Sequence, residues 1–422
     1  MMQKRTYHID FSKKIGKIKP VHGTNLSFLH NTLGDEPIDS ILSRHKPSFV
    51  GLLDVNHPYG QNQYVDIHCI FPDFSKDSND ESAYNFAPTD EYISKIRESG
   101  AEIIFRLGES RDSFAVKPFL NPPIDIEKWA DVALHIIMHF NGKWANGYKW
   151  NIKYFEIWSS PDTKNGFLGD VTDYIKLYSV CAKKIKEAFP RVKVGGYSSL
   201  GFTAMNRVTD NSEALGAYPF MQEFFAAITK KGQEIPFDFF TWCATVASAE
   251  ELSLHSKYAK SVLKDYGVRS AKSIISEFDL SAKDGASAAE YLSAMITAQK
   301  CDVDAMLYKH SLPCEEKQLA DAVFSAAFGG DFVPISEDYR KELYALAASH
   351  SEHGAVVISS TAFFGAVEIL LTSDEFSSFD ITELARNDSG AYSKAKLTDI
   401  EIKNGRIAFG AKKSALYILT LK

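Results

Sequence analysis

The chain has 422 residues, 45% hydrophobic and 24% charged, with 29 Phe, 19 Tyr and 5 Trp, and a chain so rich in apolar and aromatic side chains fills a core, which excludes a disordered or fibrous polypeptide. Its 47 basic and 54 acidic residues leave a net charge of -7 with no long basic run. That balance argues against a nucleic-acid or anionic-membrane partner, both of which need concentrated positive charge.

In chain order, the opening stretch TYHIDFSKK alternates apolar and polar residues and reads as a strand segment, residues 1–19, that joins a later β domain. It carries charges where a secretory leader needs an apolar stretch, and no later run reaches about 18 apolar residues, so a cytoplasmic location is expected. From residue 20 to 348 short apolar runs alternate with amphipathic segments, the signature of strands joined by crossover helices. Eight strands are predicted: Val21 to Asn25, Ser48 to Val55, Ala101 to Leu107, Ile152 to Trp158, Val192 to Gly196, Phe237 to Cys243, Ser273 to Phe278 and Ala305 to Lys309. The predicted helices include Pro88 to Ser99, Ile124 to Phe140, Val171 to Phe189, Pro219 to Lys231, Ala249 to Asp265 and Ser287 to Cys301. The pattern is an α/β chain forming a (β/α)8 TIM barrel. Residues 349–422 change to alternation and turns, with Asn404 and Gly405 between two alternating runs, a hairpin signal that predicts a small C-terminal antiparallel β domain of sandwich type.

Barrel sites are built at the carboxyl ends of the strands, which ranks the candidates. Glu277 ends the seventh predicted strand among apolar neighbours, where a carboxylate is costly unless solvated, hydrogen-bonded or paired; it leads as catalytic residue, with a structural salt bridge as the plain alternative. The fourth strand end supplies Trp158, Ser159 and Ser160, then Asp162 in the loop; Trp158 is read either as a platform for a sugar face or as upper-core filler. His22 and Asn25 stand at the first strand end, Asp54 and His57 at the second, Arg106 and Glu109 at the third, Trp242 and Cys243 at the sixth and Tyr308 at the eighth. Together they line a polar, aromatic cleft suited to a neutral ligand. No metal site is expected, because His57, Asp66 and His68 lack the compact spacing of a structural zinc. The Gly pairs at Gly195 and Gly329 lack a phosphate-binding fingerprint, so no cofactor is expected either. The five cysteines are scattered and odd in number, which predicts reduced thiols.

The stretches KPVHGTNLS, DVNHPYGQNQYVDIHCIFPDF, AEIIFRLGES, YFEIWSSPD, VKVGGY, FDFFTWCA and SIISEFDL resemble, in order, those of glycoside hydrolase family 39, which includes bacterial β-xylosidases and α-L-iduronidases. The resemblance implies a carbohydrate ligand, a xyloside-like β-glycoside by analogy, Glu277 as nucleophile, and His22, Asn25, Asp54, Trp158 and Trp242 as pocket residues. The family's Asn-Glu pair at the fourth strand end, whose Glu is acid and base, falls here on Ser159 and Ser160. Gly51 and Leu53 stand where the family tends to have Arg and His, and Cys243 where it has His. A serine hydroxyl cannot replace a carboxylic acid in kind. The resemblance therefore leaves three readings: a divergent hydrolase in which Asp162 or Glu109 serves as acid, a hydrolase of substrates whose leaving group departs unaided so that Glu277 performs the covalent step alone, or a catalytically inactive carbohydrate-binding protein. Homo-oligomer formation is left open.

Overall fold

The computed structural model describes residues 3–26, 38–52, 65–110, 118–200, 202, 212–281, 285–309, 314–337, 342–372, 376, 378–387, 390–398, 400–403 and 405–422. The first strand, β1 (Gln3–Ile9), lies outside the barrel. Eight strands then close into a parallel ring in chain order: β2 (Gly23–Asn25), β3 (Phe49–Gly51), β4 (Glu102–Leu107), β5 (Tyr154–Ile157), β6 (Lys193–Ser199), β7 (Phe239–Val246), β8 (Lys272–Leu280) and β9 (Ala305–Tyr308). Around them stand α1 (Ile38–His45), α2 (Ile67–Ile70), α3 (Ala87–Glu98), α4 (Ile126–Gly142), α5 (Val171–Ala188), α6 (Ser212–Ile228), α7 (Ala249–Asp265), α8 (Ala288–Lys300) and α9 (Glu315–Phe324). The expected TIM barrel is thus formed. No helix among the described residues is long and apolar enough to cross a membrane.

Local chemistry fixes the helix starts. At α5 the Asp170 carboxylate accepts from Asp173 N at 3.0 Å and the Asp173 carboxylate from Asp170 N at 3.1 Å, and Ser287 and Glu290 form the same reciprocal cap at α8, satisfying donors that the first turn leaves unpaired. Between β6 and β7 the backbones approach so closely that a Cβ at Gly195 would lie 2.1 Å from Phe239 O. Gly195→Ala is expected to force the two strands apart and remove about 1–3 kcal/mol of stability, read as a lower urea midpoint; an unchanged midpoint would contradict this packing.

Two further sheets form a β-sandwich. The five-stranded sheet runs β11 (Ile335–Glu337), β1, β14 (Gly365–Leu371), β18 (Arg406–Ala411), β17 (Glu401–Lys403). The six-stranded one runs β10 (Asp331–Val333), β12 (Leu343–Ser349), β13 (Gly354–Ser360), β19 (Ala415–Leu421), β15 (Phe379–Arg386), β16 (Tyr392–Lys396). Pairing is antiparallel except between β1 and β14, which run parallel from Gln3↔Gly365 to Ile9↔Leu371. Strands β10, β11 and β12 already belong to these sheets, which corrects the expected limit of the barrel at residue 348: the sandwich begins near Asp331, because strand pairing rather than sequence texture sets the border. Lys403 pairs with Arg406 across the expected hairpin; Asn404 lies outside the described residues.

The central strands of the six-stranded sheet are buried on both faces, which explains the unbroken apolar run AVVI in β13. Val356 and Ile358 face the sandwich core with Tyr7, Ile9, Val367 and Leu419. Val357, with Leu346 and Leu416, joins the core shared with the barrel helices. Polar bonds secure this join: Ser359 Oγ donates to Ala289 O at 2.5 Å and Tyr344 OH to Glu250 Oε1 at 2.7 Å.

Candidate active site

The barrel interior changes character over two residues of β3, β4, β5, β7 and β8. Phe49, Ile104, Tyr154, Phe239, Ile274, Ala305 and Leu307 form an apolar floor. Two positions further along, on the same side of each strand, come Gly51, Arg106, Glu156, Thr241 and Ser276, with Asn25 following Gly23 in the same phase. Apart from Gly51, this second tier carries hydrogen-bonded polar side chains. Asn25 Nδ2 donates to Ser276 O at 2.6 Å and to Tyr308 O at 3.2 Å. Its reach into the interior requires a glycine opposite, since a Cβ at Gly51 would lie 2.3 Å from Asn25 Oδ1. Thr241 Oγ1 donates to the Glu156 carboxylate and accepts from Ser198 N at 2.8 Å.

Ser198 links the two strand ends that matter most. Its carbonyl accepts from Ser160 Oγ at 2.8 Å, and its own hydroxyl shares a proton with Ser276 Oγ at 2.6 Å. The next residue is Glu277, 2% exposed. The β7–β8 register slips between Trp242 and Cys243, so that Trp242 pairs with Ile275 but Cys243 with Glu277. This bulge, a device common beside active sites, brings Glu277 into the phase of Cys243, whose Sγ lies 3.8 Å from Ser198 O and 4.0 Å from Ser276 Oγ.

A second cluster stands where β4 ends. Glu109 is 4% exposed; its Oε1 accepts from His68 N at 3.2 Å and its Oε2 meets His68 Nδ1. Burial lifts the Glu109 carboxyl above the ordinary carboxylate range, to about 7, against the pull of His68. At His68 burial disfavours the charged ring, but its bonds to Cys69 and Glu109 outweigh it and raise its pKa. Behind them Arg106 Nη2 bonds Asp66 Oδ1 at 2.8 Å, with both side chains essentially inaccessible, and Ser110 donates to Asp66 from its N at 2.8 Å and its Oγ at 2.7 Å. Asp66, His68 and Glu109 each offer a ligand atom within 4.8 Å of the others. Arg106 and Ser110 occupy Asp66 and Glu109 occupies His68 Nδ1, so a cation there would have to break an ion pair and a hydrogen-bonded dyad; the donor set does not fit a metal.

The remaining expected site residues divide sharply. Asn25 and Cys243 share the interior network, which Ser160 reaches through Ser198; Glu277 follows Ser276 in the phase of Cys243, and Glu109 joins the His68 cluster. Asp162 is drawn to the end of β6, accepting from Ser199 Oγ at 2.7 Å and Leu200 N at 3.4 Å. Ser159 is buried, its hydroxyl without a hydrogen-bond partner among the described residues. Four of the expected residues lie away from the interior network. Trp158 turns to the helix layer, its Nε1 donating to Gly166 O at 2.8 Å and its ring beside Trp129 and Phe167, so it is core filler rather than a sugar platform. Trp242, between inward Thr241 and Cys243, points outward to Phe202, with Nε1 donating to Ser273 Oγ at 3.0 Å. Tyr308 likewise lies outside, against Tyr291 and under the Lys317 ammonium. His22 packs on Phe324 and Phe328, and burial, with the Lys317 charge, lowers its pKa to about 3. Asp54 and His57 lie outside the described residues. The strand-end rule missed Ser198 and Ser276; Ser276 was visible as a small polar residue on the inward phase just past the apolar floor, whereas Ser198 lies within a register shift between Gly196 and Ser199 that leaves no such signal.

A sequence model of glycosyl hydrolases family 39 matches residues 27–281, more than half of the chain. A beta-xylosidase of Geobacillus stearothermophilus is 33% identical over 92 residues, 21% of this chain and 18% of that protein. A beta-xylosidase of Caldicellulosiruptor saccharolyticus is 29% identical over 86 residues, 20% of this chain and 17% of that protein. The matched segment thus spans less than a fifth of either relative. Among solved structures, a glucosidase from Croceicoccus marinus superposes with a TM-score of 0.75 at 17% identity, covering 100% of this chain and 99% of that one. A monomeric beta-xylosidase from Caulobacter crescentus CB15 does so with a TM-score of 0.66 at 12% identity, covering 99% of each chain. At these identities the structural likeness speaks for the fold.

Proposed function

The chain belongs to glycosyl hydrolases family 39, and on that premise we propose that it is a divergent hydrolase of a xyloside-like β-glycoside, with Glu277 as nucleophile and Glu109 as acid and base. The observation that carries this reading is the Glu109 carboxyl itself: buried, placed just past a barrel strand and oriented by His68. In the proposed reaction Glu277 attacks the anomeric carbon while Glu109 gives its proton to the departing oxygen, then takes one from the water that releases the sugar. A carboxyl lifted towards neutrality by burial still holds its proton where an ordinary one has lost it. Ser160 has no such proton to give, and its hydroxyl is committed to Ser198 O.

Glu109→Gln is expected to lower kcat on glycosides with poor leaving groups by about 10²–10⁴. Dinitrophenyl glycosides, which depart unaided, should keep their glycosylation rate, with azide restoring turnover. An equal loss on both classes would refute the assignment. The pH profile gives a second check: the acid must be protonated, so wild-type kcat/KM should fall as pH rises through about 7, with His68, Asp66 and Arg106 the charged neighbours of Glu109. The variant should lack that limb. The Ser160 hydroxyl, a residue without acid function at the family's acid position, favours a second reading, a glycan-binding protein without turnover. Saturable calorimetric binding of xylo-oligosaccharides, with no hydrolysis of any dinitrophenyl glycoside, would establish it instead.

A further inference from the structure

We propose that Cys69 is a modification site, a reactive thiol for soft electrophiles such as alkyl halides, disulfides and peroxides, activated by His68 with Glu109 as the orienting group. Cys69 Sγ lies 3.3 Å from His68 Nε2, and the opposite ring nitrogen, Nδ1, meets Glu109 Oε2. The Phe119 ring stacks on the imidazole at 3.8 Å and 5°, which fixes its plane, and the second Glu109 oxygen accepts from His68 N at 3.2 Å. Nucleophile, base and orienting carboxyl thus stand in series, the arrangement that activates a catalytic thiol.

The other four cysteines lack it. Cys181, Cys243 and Cys301 are buried. Cys314 is exposed, but its near neighbours are the phenols of Tyr308 at 3.9 Å and Tyr291 at 4.0 Å. Cys69 combines partial exposure with an imidazole in contact. With an alkyl halide the step balances simply: the sulfur lone pair forms the S–C bond, the C–halogen bond breaks and the halide leaves, while the proton once on sulfur passes through His68 Nε2 to water. A peroxide would instead give a sulfenic acid and water, the thiol being oxidised by two electrons as the O–O bond breaks.

One consequence rests on the proposed role of Glu109: a group attached to Cys69 crowds His68, loosens its hold on the acid and lowers turnover. The thiol chemistry itself does not depend on that role. The test treats the full chain with limiting iodoacetamide at pH 8, above the Glu109 range so that its carboxylate accepts from His68, and follows each cysteine by peptide mass spectrometry. Cys69 should be alkylated about fivefold or more faster than the more exposed Cys314, since a base in contact with the thiol takes its proton as the sulfur attacks. His68→Asn should bring Cys69 down to the Cys314 rate while leaving Cys314 unchanged. If His68→Asn opens the fold, seen as alkylation of buried Cys181, Glu109→Gln decides, with a drop of about threefold or more expected at Cys69. A Cys69 rate no greater than that of Cys314, or one indifferent to the deciding variant, overturns the proposal. Turnover is read separately: alkylation should inactivate the wild type and spare Cys69→Ser, and unchanged wild-type turnover after complete Cys69 alkylation overturns the link to Glu109 alone.

Discussion

Replacing Glu277 by Ala is expected to lower the turnover of a dinitrophenyl β-glycoside by at least ~10⁴-fold, the scale on which covalent enzymes lose activity with their nucleophile. Such a substrate needs no acid, so the loss would report the covalent step alone. The expectation rests on backbone geometry as much as on residue type. Without the register slip between β7 and β8, Cys243 would face Ser276, and the carboxylate would follow the outward phase of Trp242. Azide added to the variant should enter from the vacated face and give a glycosyl azide of inverted configuration, whereas the wild type should release sugar with retained configuration, both visible by proton NMR. Undiminished turnover in Glu277→Ala would remove this residue from the mechanism.

The largest structural effect is expected at Arg106. Its guanidinium and the Asp66 carboxylate are 1% and 0% exposed and 2.8 Å apart, and removing one partner of such a pair costs about 3–5 kcal/mol because the other charge is left buried without its counter-ion. Arg106→Met should therefore shift the urea midpoint sharply downward. Burial already pushes the Asp66 carboxyl up, with Arg106 and Ser110 holding against it, so protonation of Asp66 should return part of the lost stability as the pH is lowered. A midpoint close to wild type at pH 7 would show that the pair is not buried in solution. Arg106 also donates to Glu109 O at 3.2 Å, so the same variant should weaken turnover by displacing the proposed acid.

The contrast between what was legible in the sequence and what was not lies in side-chain phase. Every barrel strand and the helix Ala249 to Asp265 could be read from periodicity and turn residues, because burial of one face writes itself into composition. Strand ends could be ranked by position along the chain, which placed Glu109, Asn25, Cys243 and Glu277 near the barrel's polar tier. Position does not say which way a residue points. Trp158 and Trp242 stand at strand ends as expected, yet each turns to the helices, because an aromatic ring of that size gains more from a dry contact with Trp129 or Phe202 than from a polar interior. The bulge that re-aims Glu277 leaves no mark in the sequence, since Ser276 could equally continue a regular strand. His68 and Asp66 were visible only as residues lacking zinc spacing; their association with Glu109 and Arg106 is a contact between the start of α2 and the end of β4, distant in sequence and set by the docking of Ile67 N on Gly108 O at 3.1 Å.

The parallel pairing of β1 with β14, which joins residues 3–9 to residues 365–371, orders events as the chain is made. β1 leaves the ribosome before the barrel and must wait until every barrel strand has been synthesised before its neighbour exists. In that interval it is an open strand edge, the kind of surface that pairs with foreign chains. Completion of the sandwich therefore acts as a clasp that is fastened after the barrel, and a nascent chain stalled before residue 365 should be captured by chaperones through residues 3–9.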